Sequence, residues 1–426
     1  MVQPTPSPLS RLSKIGWIGL GAMGRPMALN LFTKTYLAHQ RGERAGHGRE
    51  TPTFLVCEED NSRTESFLYD LREKGGAELA GRVERVASGR EMALRASRIL
   101  TMLPSTPQVE TVYLDPKGGI LAGLLELPPE TPSVDTKSLF RTPSTPAADI
   151  EEISSSTTIS PPPAPPNTTP PLDSSTTMSP TSTTTRPTLS DTSPHTLLID
   201  QTTLDPTIAR GIASHIHSAT ALRALMHDAP VSGGTGAAER GELTIMLGSP
   251  SPYAKEMATE LLSRMARIGG VIDCGENGAG VGVKVCNNLI LAINQIALSE
   301  GLALGRSLGL DPEILHNVIN SSSGQSWSSR VNSPLQEIPD SPGSRHYSGG
   351  FQTRLMLKDA GLALSAAAVC DLPIPMTWAA KSVYDAVCNE GEGEMATQDF
   401  SVVFEWLKKK QLEAVERGWK DDPTST

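Results

Sequence analysis

The stretch IGWIGLGAMGRPMALNL constrains this chain more than any other. Residues 15–20 read as a buried strand, and a helical apolar pattern runs from residue 22 to about residue 37. Between them lie Gly19, Leu20, Gly21, Ala22, Met23 and Gly24. In such a strand–turn–helix unit the first glycine permits a tight turn. The second lets the backbone approach a pyrophosphate, and the third lets helix and strand pack closely. The exposed N–H groups of the helix start complete an anion site. The spacing alone is a weak signal, but with a strand before it and a helix after it the pattern predicts dinucleotide binding.

An acidic residue is then expected at the end of the second strand, where it would accept hydrogen bonds from a ribose. Residues 54–57 read as that strand, so Glu58 is the candidate and Glu59 the alternative one register on. Glu58 lies further along than the usual ~20 residues, an offset explained if the polar residues 38–52 form a loop insertion. A carboxylate here repels a 2′-phosphate and favours NAD, while the nearby Arg63 leaves NADP open.

The alternation continues. Helices are expected over residues 61–74, capped by Asn61, near Glu91, and from Gln108. A strand is expected over residues 98–103, ended by Pro104. Residues 126–193 are Ser, Thr and Pro with few large apolar side chains, a composition that cannot offset its ordering entropy and reads as a disordered insertion. Strands at 196–200, 225–231, 243–247 and 271–274 and helices at 206–218 and 253–268 follow. This order predicts an α/β Rossmann-type domain over residues 15–277, built on a mostly parallel, doubly wound sheet. From residue 278 to residue 417 the pattern is only helical, opening with a long amphipathic stretch over 281–309 and predicting an all-α C-terminal domain. Residues 1–14 and 418–426 read as flexible ends.

With a formal net charge of −10 and a pI of about 5.4, the chain lacks the basic footprint of a nucleic-acid binder. Its five cysteines form no CxxC pair and do not sit at zinc-ligand spacing with histidines, so no metal and a reduced intracellular setting are expected. His215 and His217 share one helix and read as surface residues. No apolar run in the sequence reads as a membrane span. The leader MVQPTPSPLSRLSK is basic but short and proline-rich for a mitochondrial transit peptide.

Six motifs in series carry a resemblance. IGWIGLGAMGRPMALNL, TMLPSTPQV, IDQTTLDP, DAPVSGGTGAAERGELTIML, GVGVKVCNNLILA and LMLKDAGLA resemble, in order, the segments of the β-hydroxyacid dehydrogenase family, over about residues 15–407 outside the two insertions. Within it, the branch that oxidises 3-hydroxyisobutyrate is the nearest match. The resemblance implies an NAD-dependent oxidoreductase with Lys284 as general base and Asn288 binding substrate and orienting the lysine. The sequence supports that role independently, since a lysine at the start of so apolar a helix is desolvated and its pKa lowered.

By the same resemblance, Ser232, Gly233 and Gly234 clamp the substrate carboxylate. Leu103, Pro104 and Gln108 line the cofactor's ribose side, Thr203 reaches the nicotinamide ribose, and Lys358, steadied by Asp359, closes over the cofactor. Trp327 and Phe351 are candidates for the substrate-pocket wall, with core packing as the plainer reading. The chain departs from the family at Gln201 and Thr202, which stand where serines are usual. Thr202 keeps a hydroxyl, and Gln201 is expected to face away. The expected partners are a small β-hydroxyacid and further copies of the chain, as a dimer or tetramer, with no nucleic acid and no membrane. The family implies mitochondria, while the weak leader favours the cytoplasm.

Two enzyme alternatives share this architecture. 6-Phosphogluconate dehydrogenases carry histidine three residues after the lysine, where this chain has Asn287. Tartronate semialdehyde reductases match by motif. A cofactor-binding interaction protein without catalysis is the alternative of another class, opposed by the presence of both Lys284 and Asn288.

Overall fold

In the computed structural model the described residues are 11–43, 51–128 and 196–417. The N-terminal half alternates strands and helices. β1 (Lys14–Ile18) leads to α1 (Gly24–Gln40), β2 (Thr53–Cys57) to α2 (Asn61–Ala80), and β3 (Val83–Arg85) to α3 (Gly89–Arg95). β4 (Arg98–Thr101) is followed by α4 (Thr106–Leu114) and α5 (Ile120–Glu126), and β5 (Thr196–Asp200) by α6 (Pro206–Ala219). β6 (Ala224–Asp228), β7 (Val231–Ser232), α7 (Gly234–Arg240), β8 (Leu243–Gly248), α8 (Pro252–Leu262) and β9 (Ala266–Gly275) complete it.

These strands form one nine-stranded sheet in the order β3-β2-β1-β4-β5-β6-β8-β7, with β9 pairing β8. The run from β3 to β6 is parallel, and β8 joins β6 and β7 antiparallel. Helices cover both faces, so the central strands are apolar throughout rather than alternating. Phe32, Phe54 and Phe67 pack on the face of α1, α2 and α8, with Phe32 and Phe54 stacked at 4.3 Å. Met92, Tyr113, Leu198 and Ile212 fill the other face.

The chain order reverses between β1 and β4, which opens a crevice at the C-terminal ends of these strands beside the glycine turn. The second half is helical: α9 (Ala279–Ser307), α10 (Pro312–Ser321), α11 (Trp327–Val331), α12 (Thr353–Val369), α13 (Pro375–Cys388) and α14 (Val403–Arg417). α9 packs on the sheet through β8 and β9 and on α12, α13 and α14, so one helix belongs to both halves. All described residues fall within one compact unit.

Several expectations need correction. Arg11, within the stretch read as a flexible end, has a buried guanidinium that donates to the carbonyls of Ala93 at 2.7 Å and Ala96 at 2.9 Å. α1 continues through Gln40, into the stretch read as a loop. The cap of α2 is Asp60, which accepts from Ser62 N, not Asn61. The expected helix over residues 253–268 stops at Leu262, and β9 takes over from Ala266. α9 is long and apolar enough to cross a membrane by length and composition, with a mean hydropathy of 1.4, although it packs between the two halves. His217 is no surface residue: its Nε2 accepts from Met226 N at 2.9 Å, and burial pulls its pKa down to about 4. Of the flexible start read over 1–14 and the insertions read over 38–52 and 126–193, residues 1–10, 44–50 and 129–193 lie outside the described residues, as does the tail from 418, and Glu126 ends α5.

Candidate active site

The turn after β1 is built as the spacing implies, and each glycine has its own reason. Gly19 has φ +94°, and a Cβ there would lie 2.3 Å from the Met102 carbonyl. A Cβ on Gly24 would sit 2.0 Å from the Gly19 carbonyl, which also accepts from Trp17 Nε1 at 2.8 Å. A Cβ on Gly21 would meet nothing within 4 Å. Packing therefore explains Gly19 and Gly24 but not Gly21, as expected if that surface must stay bare for a ligand. α1 starts beyond Met23 with no side-chain cap and no acid in its first turn, so its N-terminal partial charge is not offset by a side chain, while Arg25 N donates to the Gly21 carbonyl at 3.0 Å. Leu20 and Ala22 complete this cradle, which suits a dinucleotide's pyrophosphate.

Glu58 reaches back across this turn. Its Oε2 accepts from Leu20 N at 2.6 Å, and its side chain is 8% exposed, whereas Glu59 faces solvent. Of the two acids, Glu58 is the one folded against the turn. Arg63 stands 3.6 Å from Glu58 Oε1 and 3.4 Å from Asp60. Replacing Glu58 with glutamine removes the charge that would repel a 2′-phosphate while Arg63 stays. The expected outcome is a shift of about tenfold in the NADP-to-NAD ratio of kcat/KM towards NADP, of the order of one charge-assisted contact.

On the next strand ends stand the loop Leu103–Pro104 and the turn at residues 200–203. Leu103 N donates to Thr202 Oγ1 at 3.0 Å, and the Thr203 carbonyl accepts from Lys358 Nζ at 3.2 Å. Lys358 thus reaches from α12 across to the sheet domain. Gln108 is exposed on the first turn of α4, hydrogen-bonded to Ser105 Oγ. Gln201 lies fully buried with neither amide atom bonded, on the face carrying Ile199, so it neither lines the crevice openly nor faces solvent.

Ser232 ends β7, half-buried, and Gly233 and Gly234 follow at φ +136° and +69°. Two consecutive left-handed glycines leave backbone N–H groups free to converge on an anion.

Lys284 lies one turn into α9 and is 7% exposed. Burial drives its pKa below the ordinary 10.5, the Asp359 carboxylate opposes that shift, and Lys358 adds to it. Asn288, one helical turn further on and 1% exposed, donates to Asp359 Oδ2 at 2.6 Å. The other Asp359 oxygen stands 3.5 Å from Lys358 Nζ as an ion pair. Asp359 therefore ties the amide next to the lysine to the lysine that bridges the domains.

Trp327 opens α11 and is 52% exposed. Phe351 packs edge-on against Phe400 at 6.0 Å within the helical core, as the plainer reading of that ring has it. Among the described residues no group of His, Cys, Asp and Glu is arranged to hold a metal.

Two aspartates escaped the sequence reading. Asp200 ends β5, completely buried, and its pKa is pushed up to about 7 by burial. Asp228 stands beside it on β6 and accepts from Gly278 N at 2.7 Å and Val281 N at 3.0 Å, holding the start of α9. The one signal in the sequence was an acid closing an otherwise apolar strand, TLLID.

Known proteins are similar to this chain in sequence and fold. A family model described as the NAD binding domain of 6-phosphogluconate dehydrogenase matches residues 173–277. Another, described as NAD-binding of NADP-dependent 3-hydroxyisobutyrate dehydrogenase, matches residues 278–407. Mouse mitochondrial 3-hydroxyisobutyrate dehydrogenase is 30% identical over 93% of this chain and 88% of its own length. The rat protein of the same name is 40% identical over 50% of this chain, a match that spans 62% of that protein. Among solved structures, the 3-hydroxyisobutyrate dehydrogenase of Mycobacterium tuberculosis, with L-serine, aligns at a TM-score of 0.62 and 27% identity over 93% of this chain and 99% of that one. A bare glycine turn, an acid folded back onto it and a buried lysine on the linking helix therefore stand within a shared sequence and fold, and the chain belongs to the 3-hydroxyisobutyrate dehydrogenase family.

Proposed function

We propose that the chain oxidises 3-hydroxyisobutyrate to methylmalonate semialdehyde with NAD, a step of valine breakdown, and that Lys284 is the general base. The observation that carries this reading is the buried Lys284 beside Asn288 on the helix joining the two domains. The turn at Gly19, Gly21 and Gly24 and the N-terminus of α1 would hold the dinucleotide, with Glu58 at its ribose. When bound, the nicotinamide accepts a hydride from the carbinol carbon. The Ser232 hydroxyl and the N–H groups of Gly233 and Gly234 bind the substrate carboxylate. Asn288, fixed by Asp359, positions the substrate oxygen, and Lys284 takes its proton at Nζ. Lys358, pinned to the Thr203 carbonyl, keeps the domains together and excludes water.

The test is NADH formation with a panel of 3-hydroxyisobutyrate, glycerate and 6-phosphogluconate. 3-Hydroxyisobutyrate is expected to show the highest kcat/KM by at least about tenfold, the scale of one methyl or hydroxyl mismatch. A preference for glycerate would assign the chain to the tartronate semialdehyde reductases instead.

We further propose a homo-oligomer built on the helical half. Leu308, Ile314, Trp378 and Met376 there are each at least 60% exposed, large apolar side chains that contact between copies would cover. Light scattering is expected to give a dimer or tetramer, and Trp378→Glu to lower that mass. A monomeric wild type would contradict the proposal. The mouse and rat relatives are mitochondrial by name, which supports the mitochondrial alternative for this chain.

A further inference from the structure

The turn after β5 joins parts of the molecule that are remote in sequence. Asp200 Oδ1 accepts from Thr101 Oγ1 at 2.7 Å and from Thr202 Oγ1 at 2.8 Å, and Thr101 Oγ1 is also 2.9 Å from Tyr113 OH. Both threonine hydroxyls donate to the same Asp200 oxygen. With its proton committed, Thr202 Oγ1 presents only a lone pair to its other neighbour. That neighbour is Leu103 N, donating at 3.0 Å. Leu103 opens the loop after β4, and within the Asp200–Thr202 cluster the Thr202 hydroxyl is the group that bonds it.

We propose that Asp200 is a positioning residue for the nicotinamide cofactor. It acts through the Thr202 hydroxyl on the Leu103 N–H and so sets the loop along the cofactor's ribose side without touching the cofactor. The proposal rests on the reading that Leu103 and Pro104 line that ribose. It accounts for three features at once. It explains why a carboxylate sits at full burial at this strand end. It explains why Thr202 keeps a hydroxyl where the family has serine. It also explains why the adjacent Thr203 carbonyl is the one gripped by Lys358, since a turn locked by Asp200 is a fixed anchor for the helical domain.

Three variants of the full chain test it: Thr202→Val, which keeps shape but deletes the hydroxyl, Thr202→Ser, which restores it, and Asp200→Asn. NADH affinity is read by fluorescence titration, kcat at saturating NAD, and folding by thermal melting. Thr202→Val is expected to raise the NADH Kd about tenfold, the effect of one lost hydrogen bond to the loop, while kcat at saturating NAD stays within about twofold. Thr202→Ser is expected to return the Kd to within about twofold of wild type, and Asp200→Asn to shift it in the same direction as valine. If Asp200→Asn fails to fold, the valine–serine pair decides alone. Unchanged NADH binding in Thr202→Val, or no rescue by serine, overturns the proposal and leaves the cofactor reading standing. A wild type that binds no NADH overturns both.

Discussion

Replacing Lys284 with alanine is expected to lower kcat for 3-hydroxyisobutyrate oxidation by about three orders of magnitude, the usual contribution of a positioned general base. Two properties of the site motivate so large a loss. The lysine is nearly inaccessible, so bulk hydroxide and buffer bases have little access to replace it. Burial also lowers its pKa, which places more of it in the neutral form that can accept a proton. The sign of the pH dependence follows. The base works only when deprotonated, so kcat/KM rises with pH through the pKa of Lys284, with the midpoint of the rise below the 10.5 of an ordinary lysine. Asp359 holds that pKa up, so Asp359→Asn is expected to move the rising limb to lower pH. Steady-state NADH formation across pH for wild type, Lys284→Ala and Asp359→Asn reads all three. A limb that Asp359→Asn leaves in place would separate the carboxylate from the base. An alanine variant with wild-type kcat would remove Lys284 from the mechanism.

The second large effect belongs to Gly21. A Cβ there meets no protein atom within 4 Å, so the fold is expected to tolerate a valine, with a melting temperature within about 2 °C of wild type. The same side chain would occupy the space a pyrophosphate needs, and the NADH Kd is expected to rise by at least about a hundredfold. Gly24→Val is the contrasting case. Its Cβ would lie 2.0 Å from the Gly19 carbonyl, so it is expected to lose stability as well as binding. Thermal melting and NADH titration on the two variants separate a glycine kept for ligand from one kept for packing. Equal NADH binding by Gly21→Val and wild type would contradict the cradle.

The glycine turn, the central strands and the long helix were legible because each is specified locally. Short apolar runs such as TLLID and RILT, each set between helical stretches, point to buried strands, and the spacing of GLGAMG has meaning only in a strand–turn–helix unit. The failures share a different cause. After α8, Leu261, Leu262, Met265 and Ile268 continue a helical spacing, yet the chain turns into β9 because Met265 and Ala266 are buried against the sheet while Ile268 is left in solvent. β3 is three residues long and largely exposed, too short to carry a period. Asp60 and Asn61 are both good caps, and only the geometry chooses between them. His217 became a half-buried acceptor because β6 lies beside α6 and offers it Met226 N. The Asp200–Thr101 and Thr202–Leu103 contacts each span 99 positions, across the whole Ser/Thr/Pro stretch, so no local pattern could announce them. In the same way the sequence placed Lys284 and Asn288 on one helix face, but the link from Asn288 to Asp359 depends on how α12 packs against α9.

The most direct test of the central claim follows a labelled hydrogen. Purified protein is given NAD and 3-hydroxyisobutyrate carrying deuterium on its carbinol carbon, and the reduced cofactor is analysed by mass spectrometry. The account predicts NADH one mass unit heavier, formed in step with methylmalonate semialdehyde and abolished in Lys284→Ala. Semialdehyde without labelled NADH, or no turnover by a wild type that binds NADH, would contradict hydride transfer at this site.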